Sequence, residues 1–446
     1  MNVTTAFELY EEIPKSMKSL LIANSNATFI HNGNWGFLSN LTNLEQLSFI
    51  NNNITNIAEF KSIYMEDLDI LETLLITNNN LKLFPVDKFA NLKRLKSLDL
   101  SCNQLRTVGQ GPWDLSLLQT LRLNYNQIES VRGGQLRGLS NLITLDLSNN
   151  IITYFSLKVL ASVSKLKFLE LYNNRLLYVS EYNVLHKNLT YISLSNNYFE
   201  SLSPLVFTGL QALGSLAFTR NQIKDTPSTN YNDTMTSVKR LSLKLNGIER
   251  MTPFFFDGFP ELESIILSYN RIRHVAYNTF RSVPNLVAID FSYNEIHSIP
   301  GNLFQHLNNL FLIELESNRI NTLPPDIFRS LSKLTTLYIY NNPIACNCSV
   351  VPLIQWLRRA MMSSVYHPTC QSPESLRNQI ISLVDLPSNC SDSSLVHTFN
   401  ATPTISFTHF DASDPFSFKW RSIGAAVGVL MVCLCLLYLS IMVHRD

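Results

Sequence analysis

The stretch from Leu262 to Ile272 reads LESIILSYNRI. Leu262, Ile265, Leu267 and Ile272 are apolar at the first, fourth, sixth and eleventh positions, and Asn270 holds the ninth. Ile265 and Leu267, two residues apart, fall on one side of an extended segment, which predicts a short strand with a buried inner side. A strand that short cannot bury its apolar side alone, so the same pattern is expected elsewhere in the chain. It recurs from Leu44, Leu71, Leu95, Leu118, Leu142, Leu166, Leu189, Leu213, Val238, Leu286, Leu310 and Leu334, with a degenerate copy at Met17. The spacing is 23 to 25 residues from Leu71 onward and 27 before it, giving fourteen units. A length of 446 residues would otherwise suggest two or three domains, but a period of this size implies one stacked array.

Two ladders run through the array. The ninth position is filled without a gap by Asn52, Asn79, Asn103, Asn126, Asn150, Asn174, Asn197, Asn221, Asn246, Asn270, Asn294, Asn318 and Asn342. Where each strand turns back into the core its backbone groups lack partners, and an amide supplies both a donor and an acceptor to the neighbouring turn. The nineteenth position carries Phe89, Phe207, Phe256, Phe280, Phe304 and Phe328, expected to fill the core beneath the opposite, convex side. Both ladders read as structural.

The frame L-x-x-L-x-L-x-x-N-x-I resembles the leucine-rich repeat family over residues 17–390. The resemblance implies an α/β solenoid: a horseshoe with a concave parallel β-sheet, a C-terminal disulfide cap and, from the sequence beyond it, one C-terminal transmembrane helix. Residues 17–344 are then the repeats. The segment NPIACNC from Asn342, followed by Trp356, Cys370 and Cys390, is similar to the C-terminal cysteine-rich cap of extracellular members, placed at 345–390. A solenoid end exposes an apolar cross-section, so a cap is expected there. The resemblance implies pairing of Cys346 with Cys370 and of Cys348 with Cys390, whereas the sequence alone leaves three connectivities open. A zinc site would want paired knuckles that C-x-C and two isolated cysteines do not provide. Disulfides imply an oxidising compartment.

The flanks extend this organisation. Residues 1–16, ending in YEEIPKS, resemble the remnant of an N-terminal cap, and neither a signal-peptide core nor a cysteine precedes Cys102, which leads us to expect a truncated amino terminus. Residues 391–422 are rich in serine and threonine and read as a stalk. Residues 423–443, IGAAVGVLMVCLCLLYLSIMV, are uncharged and long enough for a bilayer core, leaving 444–446 as a short tail. Gly424 and Gly428 have the spacing of a helix-pairing face, which could serve a homodimer or a co-receptor. The expected location is the plasma membrane, with the repeats outside. Glycosylation sequons stand at Asn2, Asn26, Asn40, Asn53, Asn188, Asn232, Asn347, Asn389 and Asn400, none at an outward strand position from Leu71 onward.

Function classes narrow in step. The 35 basic and 34 acidic residues nearly cancel, which gives no general attraction for nucleic acid. No nucleophile motif, phosphate loop or metal-ligand spacing points to an enzyme, a cofactor or a metal. Outward strand positions depart from their serine and threonine background in two patches. One holds Arg122, Asp146, Phe168, Glu170, Tyr172 and Tyr191, with Tyr125 at its edge; the other holds Ile266, Asp290, Leu312, Glu314, Glu316, Tyr338 and Tyr340. Aromatics beside arginine and carboxylates are the types enriched at protein-binding hot spots, and the acidity of the second patch suits a basic partner. Tyr125, Tyr269 and Tyr293 precede a ladder asparagine and are expected to pack along the sheet edge. The expected function is a cell-surface receptor or co-receptor ectodomain that binds a protein ligand through its concave face, of the innate-immune, guidance or adhesion type. The alternative is a lipid-anchored or tethered adhesion protein with no signalling of its own, suggested by Asp411, Ala412 and Ser413 ahead of the apolar run.

Overall fold

The computed structural model describes residues 13–25, 34–39, 41–55, 57, 65–109, 112–180, 185–224, 236–359, 367–386 and 390. Fourteen strands, one from each unit, join into a single parallel sheet in chain order, from Ser19–Ala23 and Gln46–Ile50 to Leu312–Glu314 and Thr336–Tyr338. The register never slips: Ser264, Ile265 and Ile266 lie beside Ala288, Ile289 and Asp290, which lie beside Leu312, Ile313 and Glu314. From Ser97 onward these strands are only three residues long, so a single apolar residue at the fourth position faces inward. The apolar positions of the opening stretch, Leu262, Ile265, Leu267 and Ile272, are all fully buried.

On the far side of the core the phenylalanine ladder is buried, and Phe256, Phe280 and Phe304 stack at centroid distances of 5.5 and 6.2 Å. The unit from Leu95 uses Trp113 at the same position, stacked 5.9 Å from Phe84. The resemblance implied α/β, and here the structure differs. Between the strands of the long sheet the described helices are short 3-10 segments such as Val86–Phe89, Leu157–Ser162 and Pro204–Phe207; the described α-helix, Val351–Arg359, belongs to the C-terminal cap. The physical reason is length: after the eleven-residue frame roughly a dozen residues must return the chain, too few for several helical turns and two loops. No helix among the described residues is long and apolar enough to cross a membrane. The expected span at 423–443, the stalk and the tail lie outside the described residues.

Each ladder asparagine ties two units together. The Asn174 Oδ1 accepts from the Ile152 backbone N–H at 3.0 Å, while its Nδ2 donates to the carbonyls of Leu147 at 3.0 Å and Leu171 at 3.1 Å. The same three bonds recur at Asn270, to Ile248, Leu243 and Leu267, and at Asn318, to Ile296, Phe291 and Leu315. One buried side chain thus satisfies backbone groups that the three-residue strand leaves behind.

The C-terminal end is closed by disulfides joining Cys346 to Cys370 and Cys348 to Cys390. Trp356, on the helix Val351–Arg359, stacks 6.0 Å from Phe328 of the last rungs. Arg358 donates to the carbonyls of Ser382 and Val384 at 2.8 and 3.0 Å, and Ala345 N–H reaches Asn321 O at 2.8 Å, so the cap is bonded internally and to the array.

Asn174→Ala removes the acceptor and the donor while stranding the buried Ile152 N–H, and is expected to destabilise the array by roughly 1–3 kcal/mol. Asn174→Asp, isosteric but unable to donate, should lose at least as much at neutral pH. Chemical denaturation of both variants against the parent checks this, and equal midpoints would contradict it.

Candidate functional site

The fifth position of each frame ends the three-residue strand and faces away from the core. Through four successive units this row reads Asp99, Arg122, Asp146 and Glu170, each directly beside the next. Arg122 Nη1 stands 3.9 Å from Asp99 Oδ2, and about half of the Arg122 side chain is exposed. Asp99 is a member that the sequence reading missed; its place in the fifth-position row was the available signal. The Asp146 Oδ1 accepts from Ser148 N–H at 2.9 Å.

Burial pushes the Asp146 carboxyl above its ordinary range, against the hydrogen bonds from Ser148 and the charge of Arg122. Glu170 is raised further, to about 7, first by burial and then by the negative charge of Asp146 beside it. Tyr191 rises to about 12, by burial and then by Glu170. Burial first, and the neighbouring carboxyl second, therefore favour the protonated form of Glu170.

Beside the charged row lie the aromatics. Phe168 and Tyr191 are partners on adjacent strands. Phe168 is 44 % exposed and Tyr172 is 38 % exposed, large apolar surfaces left in water next to Glu170. The strands bring Arg122, Asp146, Phe168, Glu170, Tyr172 and Tyr191 onto one stretch of the sheet's open face; Tyr125 sits at its rim with φ 54°.

The second patch is assembled differently from expectation. Ile266, Asp290, Glu314 and Tyr338 form one row, with Leu312 in the row beside it, and Ile266, Asp290, Leu312, Tyr338 and Tyr340 are half-buried. Glu314 and Glu316 were expected to face solvent with the other odd positions, but they are 5 % and 1 % exposed. The last strand sets Tyr338 beside Glu314, and the Ser317 N–H donates to Tyr340 O at 3.1 Å, so both carboxyls lie within closely spaced rungs. That carboxyl pair is consequently not an open acidic surface.

Of the sequons, Asn53, Asn188 and Asn347 are described and exposed, while Asn2, Asn26, Asn40, Asn232, Asn389 and Asn400 lie outside the described residues. The Asn188 Nδ2 donates to Ser164 O at 2.8 Å, and Asn347 Oδ1 accepts from Ser349 N–H at 3.0 Å. Among the described residues no group of three His, Cys, Asp or Glu side chains is arranged to hold a metal.

Models of the leucine rich repeat match residues 69–128, 116–176, 236–296 and 284–344, and a single-repeat model matches 188–210. The chain belongs to the leucine-rich repeat family. Rat osteomodulin is 35% identical over 147 residues, 32% of this chain and 34% of osteomodulin. The chain thus spans about a third of the length of the curated relative it matches. Among solved structures, the mouse RP105/MD-1 complex aligns with a TM-score of 0.60 at 19% identity, over 83% of this chain and 58% of that one. The Drosophila Toll–Spatzle complex aligns with a TM-score of 0.54 at 18% identity, over 82% and 63%. At these identities the likeness is one of fold.

Because Glu170 binds a proton more tightly folded than unfolded, its contribution is most favourable below the ordinary glutamate range and is lost as pH rises toward about 7. Glu170→Gln should flatten stability across that window and raise it at pH 8 by on the order of 2 kcal/mol. Thermal or urea unfolding at pH 5 and pH 8 measures it; parallel profiles for the two proteins would contradict the assignment.

Proposed function

We propose that this chain is the ligand-binding ectodomain of a cell-surface leucine-rich repeat protein, taking an extracellular protein on the open face of its long sheet. The observation that carries this reading is the coincidence, on four adjacent rungs, of exposed Phe168 and Tyr172 with the charged row Asp99, Arg122, Asp146 and Glu170. Exposed aromatics cost free energy in water and recover it only when covered, and charges set around them favour one orientation of whatever covers them. A sheet of fourteen strands at about 4.8 Å spacing extends on the order of 65 Å, enough for a specific protein interface. The disulfide-closed cap supports an oxidising location. The fold neighbours include chains solved in complexes, Toll with Spatzle and RP105 with MD-1, which supports a protein as the ligand class.

Attachment to the bilayer through 423–443 and pairing with a second copy or a co-receptor belong to the same proposal and rest on the sequence of that segment.

The test is a screen of the tagged chain against a panel of secreted and cell-surface proteins, followed by variants. A true ligand should lose roughly tenfold or more in affinity with Phe168→Ala or Tyr172→Ala and be unaffected by Tyr277→Ala in the returning segment. Ligands that ignore both open-face variants would move the binding site elsewhere.

A further inference from the structure

The residue immediately before each ladder asparagine is left-handed, with φ between 53 and 58° from Asn51 to Asn341. Asparagine tolerates this conformation because its short amide can bond locally, and it fills the position in six units. Through four consecutive units, however, the position holds Arg220, Leu245, Tyr269 and Tyr293. Large side chains are disfavoured there, so their occurrence in a run is a departure from what the fold itself selects.

Tyr269 and Tyr293 use that departure to form a stack. Their rings lie 4.3 Å apart and within 6° of parallel, yet they remain 42 % and 40 % exposed. The Lys244 ammonium stands 5.1 Å from the Tyr269 ring centroid, placing a cation at one end of the pile. At the other end the next residue of the row is Ser317, whose side chain is too short to cover the outer face of Tyr293. The Tyr293 N–H donates to Glu316 O at 3.0 Å, which ties this end of the stack to the next unit; Asp290 lies three residues before Tyr293. The nearby cation Arg319 is already held by Glu295 at 3.2 Å.

We infer that Tyr269 and Tyr293 form a stacking platform on the sheet rim for an arginine side chain of a partner protein, received on the face of Tyr293 that Ser317 leaves uncovered. The electron-rich face of a tyrosine ring attracts a cation, as the Lys244 ammonium over Tyr269 at the far end of the same stack shows. Arginine is favoured over lysine because its planar, weakly hydrated guanidinium lies flat on an aromatic face. This rim lies beyond the strand residues of the open face, so it is a second contact surface, independent of the patch around Phe168.

Labelled octa-arginine and octa-lysine peptides, equal in charge, test this against the full chain in detergent solution. Octa-arginine should bind at least about fivefold more tightly, and Tyr293→Asn should abolish that preference while leaving octa-lysine binding unchanged. Tyr293→Phe keeps the ring and should retain the preference; Phe168→Ala should change neither peptide. Because asparagine suits the left-handed position, Tyr293→Asn should melt at the parent temperature or above. Equal binding of the two peptides, an arginine preference that survives Tyr293→Asn or falls with Phe168→Ala, or a lowered melting temperature for Tyr293→Asn would each overturn the inference.

Discussion

The array depends on one hydrogen-bonding arrangement, the buried amide that links each turn to the one before it. A three-residue strand can pair only a few backbone groups with its neighbours, and the chain must then bend into the core carrying polar groups with it. Asn174 shows the solution: one acceptor for Ile152 and donors for Leu147 and Leu171, all about 3.0 Å long. Neither aspartate nor leucine could do this, since one cannot donate and the other can do neither. Repetition of the same bonds fixes the rise between units, and with it the unbroken register of fourteen strands.

A fixed register has a functional consequence. Since core residues and ladder asparagines satisfy the fold, the third, fifth and seventh positions are free to vary in chemistry from unit to unit. Side chains there are held in rows at strand spacing, so chemistry distant in sequence becomes adjacent in space. Arg122, Asp146 and Glu170 are 24 residues apart in steps, yet stand on touching rungs. Crowding then perturbs them: Glu170 is driven to about 7 by burial and by Asp146. Exposed Phe168 beside such a group gives this stretch of sheet a character the serine- and threonine-rich rungs lack.

Much of the fold is legible in the sequence because its determinants are local and periodic. The strands follow from apolar residues at the fourth and sixth positions, and the Met17 unit, though degenerate, supplies the first strand, Ser19–Ala23. Among the described residues the returning segments carry short 3-10 turns rather than the helical character implied by the family resemblance, because a unit of this length leaves little room for it. Side-chain exposure is less legible. Period alone put Glu314 and Glu316 in solvent, but their burial is set by packing between neighbouring rungs, which the period does not carry. The left-handed position is invisible to pattern reading for a different reason: Tyr269 and Tyr293 carry no turn signal, and only their backbone angles show what the position demands.

Replacing Phe168 by a photoreactive benzophenone amino acid in the full chain displayed on cells tests the central claim most directly, with the same group at position 277 as the control. The account predicts a covalent adduct with an extracellular protein from position 168 and none from position 277, with formation suppressed by adding Arg122→Ala and Tyr172→Ala. Adducts from position 277 alone, or equal yields from both positions, would contradict a ligand bound on the open face of the sheet.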